Sequence, residues 1–310
     1  MTIPLVSLVL LGYQKFEQTS GPCLESLQPW FGDPDVEMLA LDNASPDGSG
    51  DQMRRWCEAH PYVSFMQSEH NRGFAGGMNW GAAQARGQWL LLVNSDTEFA
   101  PQAIDALKVV LRQVPSNVAM VGPVTNAAGN GQRLWRPEAD REEWLSIGAA
   151  LHANPSGYLM PAYRCYCFCI AIRSEVWKQL GGLDPAFGLG YYEDFDFSLR
   201  VRQVGWEQAI TEDVFVYHQG SASFMASRDA RTLLKLNKKL LKSKHTGARF
   251  EHTRIGNLEV LQEYQRLKSA GLWNVQLEQR RMLRFDALLG DAPRSWWKSW
   301  IWKKRIAGIS

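Results

Sequence analysis

The sequence has no apolar run approaching the roughly 18 to 20 residues that cross a bilayer as a helix; its longest runs, near Leu5 to Leu11 and around Cys165 to Ile172, are far shorter. A helical membrane span is therefore not expected. Nor is there a basic segment leading into an apolar stretch and a small-residue cleavage site, because Met1-Thr2-Ile3-Pro4 runs straight into a strand-like segment. A cytoplasmic protein is the expectation. No Gly-x-Gly-x-x-Gly follows the first strand, where the loop reads Gly12-Tyr13-Gln14-Lys15, and this disfavours a dinucleotide-binding dehydrogenase. Cysteine is scarce, with five residues in 310. Cys165, Cys167 and Cys169 alternate inside an apolar run, so a strand would point all three to one face as a core pattern, and no second cluster completes a set of four zinc ligands. Reduced, buried thiols suit a cytoplasmic protein.

What is present is the composition of a folded globular protein, 45% hydrophobic and 21% charged, with length for one large α/β domain or two ordinary ones. The formal net charge of +2 hides an asymmetry: residues 1–227 hold 15 Lys/Arg against 25 Asp/Glu, and residues 228–310 hold 19 against 7. A basic tail of this kind fits an anionic surface or a solvated helical face.

Apolar segments at Leu5 to Leu11, Val36 to Leu41, Tyr62 to Met66 and Trp89 to Val93 alternate with helix-like segments at Glu17 to Trp30, Gln52 to His60 and Gly76 to Arg86. This alternation predicts a doubly wound, mostly parallel sheet, which binds ligands beyond the carboxyl ends of its strands. The polar clusters fall there: Asp42 and Asn43, Asn71 to Gly73, and Asn94 to Asp96. A helix over Ala100 to Gln113 and a strand over Val118 to Val121 precede a polar stretch through Arg141 read as loop or lid. Cys165 to Ile172 reads as a strand, Ser174 as the N-cap of a short helix ending at Gly181-Gly182, and Val214 to Tyr217 as the last strand, ending at His218. Helix is expected from Arg228 to about Leu289.

Asp96 would project from a strand end into the ligand crevice, where a carboxylate suits a divalent cation, although a turn aspartate capping the helix near Pro101 explains it equally well. His218, also at a strand end, tips the balance, since imidazole, carboxylate and diphosphate oxygens together suit Mn²⁺ or Mg²⁺. Glu193, Asp194 and Asp196 open a helix whose dipole stabilises acids. Behind the Gly-rich loop Gly181 to Tyr192, one of them is placed to accept a proton from a hydroxyl. Arg72 beside Gly73 fits a phosphate or ring clamp, and Gly73, Gly76 and Gly77 let backbone approach a ligand.

Six segments occur in a set order: Val6 to Tyr13 (VSLVLLGY), Leu41 to Ser49 (LDNASPDGS), Asn71 to Asn79 (NRGFAGGMN), Leu92 to Asp96 (LVNSD), Gly181 to Phe187 (GGLDPAF) and Tyr192 to Arg200 (YEDFDFSLR). Over roughly residues 3–225 the chain resembles family 2 glycosyltransferases of the GT-A fold, nearest to their rhamnosyltransferase-like branch. The resemblance implies an α/β, Rossmann-like central sheet flanked by helices. It implies a catalytic domain over 1–227, with nucleotide-sugar binding over about 1–125 and the acceptor side over 126–227, followed by a basic helical extension over 228–310. It implies donor contacts from Leu11, Tyr13, Asp42, Asn43, Arg72, Gly73, Asn79, Asn94, Ser95 and Asp96, with Asp42 and Asn43 at the nucleobase or ribose. Asp96 would be the metal-binding acid of the D-x-D position, His218 a further metal or diphosphate ligand, and Asp194, with Glu193 beside it, the catalytic base. The D-x-D position reads Asn94-Ser95-Asp96, which leaves a single carboxylate. The implied activity is inverting, metal-dependent (Mn²⁺ or Mg²⁺) transfer of rhamnose or another hexose. The donor would be a nucleoside diphosphate sugar and the acceptor a hydroxyl of a glycan or lipid-linked molecule in cell-surface polysaccharide synthesis. The rivals are a nucleotidyltransferase, whose usual Gly-rich, Lys-containing first loop is missing, and a non-catalytic scaffold of the same fold.

In the tail, Leu233, Leu236, Leu240 and Leu241 at 3-4 spacing, interleaved with Lys235, Lys238, Lys239 and Lys242, describe an amphipathic basic helix. Trp296, Trp297, Trp300 and Trp302 are interleaved with Lys298, Lys303, Lys304 and Arg305, a pattern that favours an anionic membrane interface. The expectation is an enzyme peripheral at the inner face of the cell membrane. No nucleic-acid recognition module is legible.

Overall fold

The computed structural model describes residues 3–134, 136, 138–220, 228–250, 253–290 and 292–308. Nine strands form one sheet: β1 (Val6–Gly12), β2 (Val36–Asp42), β3 (Val63–Gln67), β4 (Trp89–Asn94), β5 (Thr97–Phe99), β6 (Val118–Val124), β7 (Leu159–Pro161), β8 (Cys169–Arg173) and β9 (Glu207–His218). Their order is β3-β2-β1-β4-β8-β6-β9-β5, with β7 also on β9. The first four strands are parallel, as the alternation with helices predicts. Beyond them the sheet is mixed: β8 runs antiparallel between β4 and β6, whereas β6 and β9 are parallel. β1 is buried along its whole length because helices cover both faces, which is why it reads as an unbroken apolar run.

The flanking helices before residue 220 are α1 (Ser20–Ser26), α2 (Ser49–Glu58), α3 (Gly73–Ala82), α4 (Ala103–Gln113), α5 (Arg141–Ala153), α6 (Ser174–Leu180) and α7 (Glu193–Gln203). The glycines of α3 have a packing reason: a Cβ on Gly77 would strike Leu11, and one on Gly81 would strike Val9. The helix therefore lies flat on β1 and brings its N-terminus to the strand ends. α5 begins where the polar stretch ends, capped by Asp140, whose carboxylate accepts from the Glu143 amide at 2.9 Å.

Two local expectations need correction. The strand expected from Cys165 begins only at Cys169, because side chains take over the backbone bonds of the preceding residues. Gln132 accepts from the Tyr166 amide at 2.7 Å, and Asn130 donates to the Arg164 carbonyl at 3.1 Å. Cys165 and Cys167 consequently pack into the core on one side of the sheet and Cys169 on the other, and all five cysteines are free and buried. Ser174 does not cap α6 through its hydroxyl, which donates instead to the Gly87 carbonyl at 2.5 Å.

The expected boundary at residue 227 lies outside the described residues. Past it come α8 (Arg228–Lys244), α9 (Thr253–Ser269), α10 (Val275–Gly290) and α11 (Trp296–Ala307). Leu258, Tyr264, Leu288 and Ile306 share one hydrophobic core with Val9, Ile170 and Phe215 of the sheet. Two buried arginines of the extension take part in this docking. Arg284, fully buried, donates to Glu212 at 2.5 Å and to the Arg133 carbonyl at 2.8 Å, while Arg280 reaches the Leu151 and Asn154 carbonyls. On α8, Leu241 is buried and Leu233 and Leu240 are half-buried, as their spacing predicts, but Leu236 is 57% exposed and Asn237 is buried in its stead. Polar Asn237 holds an interior position because it has buried carbonyls to serve. No helix among the described residues is long and apolar enough to cross a membrane.

Candidate active site

Antiparallel pairing of β5 with β9 puts Thr97 opposite His218, so the turn before β5 delivers Asp96 to the end of β9. The Gln219 amide donates to the Asp96 carbonyl at 2.9 Å, and Asp96 Oδ2 lies 3.2 Å from His218 Nε2. Asp96 thus faces the histidine and does not cap a helix. His218 is held on every side. Asn126 bonds both its amide and its carbonyl, Nδ1 lies 2.9 Å from the Ala127 carbonyl, and the ring stacks on Phe168 at 5.4 Å. A carbonyl at Nδ1 fixes the proton there and leaves the Nε2 lone pair facing Asp96 whenever the ring is neutral. Burial opposes the charged ring, but the hydrogen bond and charge of Asp96 prevail and raise its pKa above the usual value.

This pair could serve a hard divalent cation: it offers one carboxylate oxygen and one imidazole nitrogen oriented by a backbone carbonyl, with nearby Asn94, whose buried Oδ1 has no partner. Among the described residues no cluster of three or more His, Cys, Asp or Glu could hold a metal alone. Phosphate oxygens and water would have to supply the remaining ligands.

His218 and Asn94 border a cavity of about 930 Å³ that is also lined by Glu193 and Asp194 at the start of α7. The loop into α7 is unusual, since both Tyr191 and Tyr192 take left-handed backbone angles, φ 73° and 74°. Such a conformation costs of order 1–3 kcal/mol per non-glycine residue unless the surroundings enforce it. α8 enforces it: the Asn237 amide donates to the carbonyls of Phe187, Gly190 and Tyr191 at 2.7, 2.8 and 3.1 Å.

The two acids have different environments. Glu193 is buried with Oε2 unpartnered, and burial together with the charge of Asp194 pushes its pKa up to about 8. Asp194 is also raised by burial, but Arg164 and hydrogen bonds from the Phe195 and Cys167 amides oppose the rise. Glu193 therefore holds its proton at neutral pH, while Arg164 and the two amides favour the charged form of Asp194. Asp196, next along the helix, is spent elsewhere. It bonds Arg200 at 2.7 Å, Lys244 at 2.6 Å and His245 at 2.8 Å, which keep its carboxyl below the usual range despite burial.

The remaining expected donor residues form the turns on the other side of the strand ends. Asp42, almost fully buried, accepts from the Ser45 amide at 3.1 Å and hydroxyl at 2.5 Å, and from Gln67 at 3.3 Å. Asn43 accepts from the Arg72 amide and donates to the Gly73 carbonyl, fixing that turn. Gly73 is left-handed, and a Cβ on it would collide with the Gly188 carbonyl, so this turn abuts the acid loop. Arg72 lies over Trp80 and donates to Ser68. Leu11 is buried beneath α3, Ser95 is half-buried in the turn before Asp96, and Tyr13 is 44% exposed. Asn79 braces the Gly181 to Phe187 segment by bonding both backbone groups of Leu183, and it does not reach the cavity. Sequence reasoning missed Arg164, Asn237, Lys238 and Phe250, all of which line or hold the cavity. The one available signal was a lone asparagine among the leucines of α8.

The sequence profile of glycosyl transferase family 2 matches residues 7–180. The chain belongs to this family, and its α/β architecture is of the GT-A kind. It is 27% identical over 175 residues to the low-salt glycan biosynthesis hexosyltransferase Agl10 of Haloferax volcanii, covering 54% of each chain. It is 23% identical over 247 residues to the N-acetylglucosaminyl-diphospho-decaprenol L-rhamnosyltransferase of Mycobacterium tuberculosis, covering 68% of this chain and 76% of that one. Among solved structures, a mannosyltransferase from Pyrobaculum calidifontis in complex with GDP-Man and Mn²⁺ matches with a TM-score of 0.50 at 16% identity, over 98% of this chain and 80% of that one. The chain spans about half the length of the Haloferax relative.

The acid pair makes stability depend on pH with a defined sign. Between the ordinary glutamate value of 4.5 and about 8, the folded state holds a Glu193 proton that the unfolded state has lost, so stability falls as pH rises through this window. Glu193→Gln carries no such proton. Its melting temperature relative to the parent should therefore rise by roughly 5 °C or more between pH 5 and pH 8.5, by linkage for a chain of this size. A pH-independent difference would contradict the assignment.

Proposed function

We propose that this family 2 glycosyl transferase moves rhamnose or another hexose from a nucleoside diphosphate sugar to a hydroxyl of a glycan or lipid-linked acceptor, with inversion, in cell-surface polysaccharide synthesis. The carrying observation is that Asp194 and His218 border the same cavity, with Asp96 beside the histidine. The base and the diphosphate-binding edge would then flank one reaction centre. Asp194, in its charged form while Glu193 keeps its proton, takes the proton of the acceptor hydroxyl as its oxygen bonds to the anomeric carbon. The bond from that carbon to the diphosphate oxygen breaks on the opposite face, and this geometry inverts the centre. Asp96 and His218 would hold Mn²⁺ or Mg²⁺, which when bound supplies positive charge for the departing diphosphate. The buried Asn237 clamp keeps Asp194 in reach of the acceptor, and positioning of this kind supplies much of the remaining acceleration.

The tail supports a peripheral location. α11 docks through Trp302 and Ile306, yet Trp296, Trp297 and Trp300 are 76, 57 and 42% exposed beside exposed Lys298 and Lys304. We infer that this face meets the anionic inner surface of the cell membrane and brings the cavity to lipid-linked acceptors. Co-sedimentation with phosphatidylglycerol-containing vesicles should fall severalfold in Trp296→Ser/Trp297→Ser/Trp300→Ser, and equal binding by parent and variant would remove the inference.

Incubation with UDP-, GDP- and dTDP-sugars and Mn²⁺ or Mg²⁺, read as nucleoside diphosphate release, tests the reaction. One donor should turn over or hydrolyse slowly, with the rate reduced about 10²- to 10⁴-fold in Asp194→Asn. If no donor reacts and no nucleotide shifts the melting temperature, the chain is a scaffold of this fold and not an enzyme.

A further inference from the structure

The cations of the extension divide into two groups. Lys244, Arg280 and Arg284 are each paired with a carboxylate of the preceding fold: Asp196, Asp213 and Glu212 respectively. Lys238, on the same helix face as Leu234, forms no ion pair among the described residues and lines the cavity that holds Asp194. Its Nζ lies 4.8 Å from the centre of the Phe250 ring, and Phe250 packs on Phe195 at 5.4 Å and Tyr192 at 6.1 Å.

Arg164, in the irregular segment before β8, also lines this cavity. It is 9% exposed, and its guanidinium is clamped between Tyr166 at 4.7 Å and Phe195 at 4.5 Å. Its Nε has no hydrogen-bond partner. A guanidinium fixed between two rings with a donor to spare is costly to keep buried unless an anion completes it. Asp194 is the carboxylate whose charge meets it, and Lys238 adds a second cation to the same cavity. The donor's diphosphate is assigned to the Asp96 and His218 edge, so it does not account for Arg164 and Lys238.

We propose that Arg164 and Lys238 form an oxyanion subsite on the acceptor side. In this proposal the acceptor carries a phosphate ester or carboxylate close to the reacting hydroxyl, and Phe250 and Tyr192 offer apolar faces to its sugar ring. The word acceptor rests on the transferase reading above; the anion subsite itself does not. The arrangement gives the extension a specificity role: α8 clamps the acid loop through Asn237 and reads the acceptor through the adjacent residue. Arginine suits a planar, bidentate oxyanion and lysine a point contact, so the pair accommodates either anion.

The test uses the full-length protein in EDTA, so that no cation can bridge an anion to Asp96, and measures binding of glucose 1-phosphate, glucuronate and glucose by calorimetry or ligand-observed NMR. One or both anions should bind at least tenfold tighter than glucose, and which one does so distinguishes phosphate from carboxylate. Lys238→Gln should abolish most of that preference without changing glucose binding, Lys238→Arg should retain it, and Asp96→Asn should leave it unaltered. Arg164→Gln should act like Lys238→Gln, and Lys238→Gln alone decides if that variant fails to fold. Equal binding of anions and glucose, a preference that survives Lys238→Gln, or a loss in Asp96→Asn would overturn the proposal. A nucleotide melting-shift assay on the same samples separates the two readings: an anion preference lost in Lys238→Gln without nucleotide binding would leave the subsite standing and remove the transferase.

Discussion

A single buried carboxylate, Asp196, ties the catalytic helix to the rest of the structure. It sits one turn inside α7, fully buried, and gathers Arg200 from its own helix with Lys244 and His245 from the end of α8. Arg200 extends the link to the Leu180 and Gly182 carbonyls, and Lys244 also binds Asp184 at 2.5 Å. Removing one partner of such a buried network typically costs 3–5 kcal/mol, since it strands charge in a low-dielectric interior. The network fixes α8 against α7, and α8 in turn places Asn237 under the loop whose two tyrosines hold a disfavoured backbone conformation. The geometry of Glu193 and Asp194 is therefore set by residues on both sides of them in sequence.

The same docking shapes the electrostatics of the cavity. Neighbouring carboxylates cannot both ionise cheaply out of water, so Glu193 holds its proton, and Arg164 favours charge on Asp194. At the other edge, Asp96 and His218 meet because β5 pairs with β9, and four contacts hold His218, two through its backbone and two through its ring. In the proposed reaction one edge would accept a proton and the other would bind an anion through a cation. Both are placed by strand ends and helix starts, and so need little rearrangement for reaction.

Much of this is legible in the sequence. Periodicity locates the four parallel strands to within a residue or two, because buried parallel strands are written as apolar runs. Asp96, Asp194 and His218 stand out because polar residues at strand ends and helix starts have few structural duties. Asp42 and Asn43 stand out for the same reason, and the structure also employs their side chains in fixing turns; a sequence does not reveal which polar groups are already satisfied. Cys165 and Cys167 leave the expected strand because Gln132 and Asn130 replace its ladder with side-chain bonds. Lys238 and Asn237 were hidden by their neighbours: among so many leucines and lysines the favoured stripe contained Leu236, which is exposed. Only long-range contacts reveal that the asparagine is the interior residue.

The central claim is that the C-terminal extension belongs to the catalytic unit because Asn237 holds the acid loop. Hydrogen–deuterium exchange of Asn237→Ala tests it most directly, since the substitution leaves three buried carbonyls without their donor, at about 1–3 kcal/mol. The account predicts faster exchange over residues 187–197, with protection of β1 and β4 unchanged and nucleoside diphosphate release slowed in parallel. Unchanged exchange in that segment, or release at the parental rate, would contradict it.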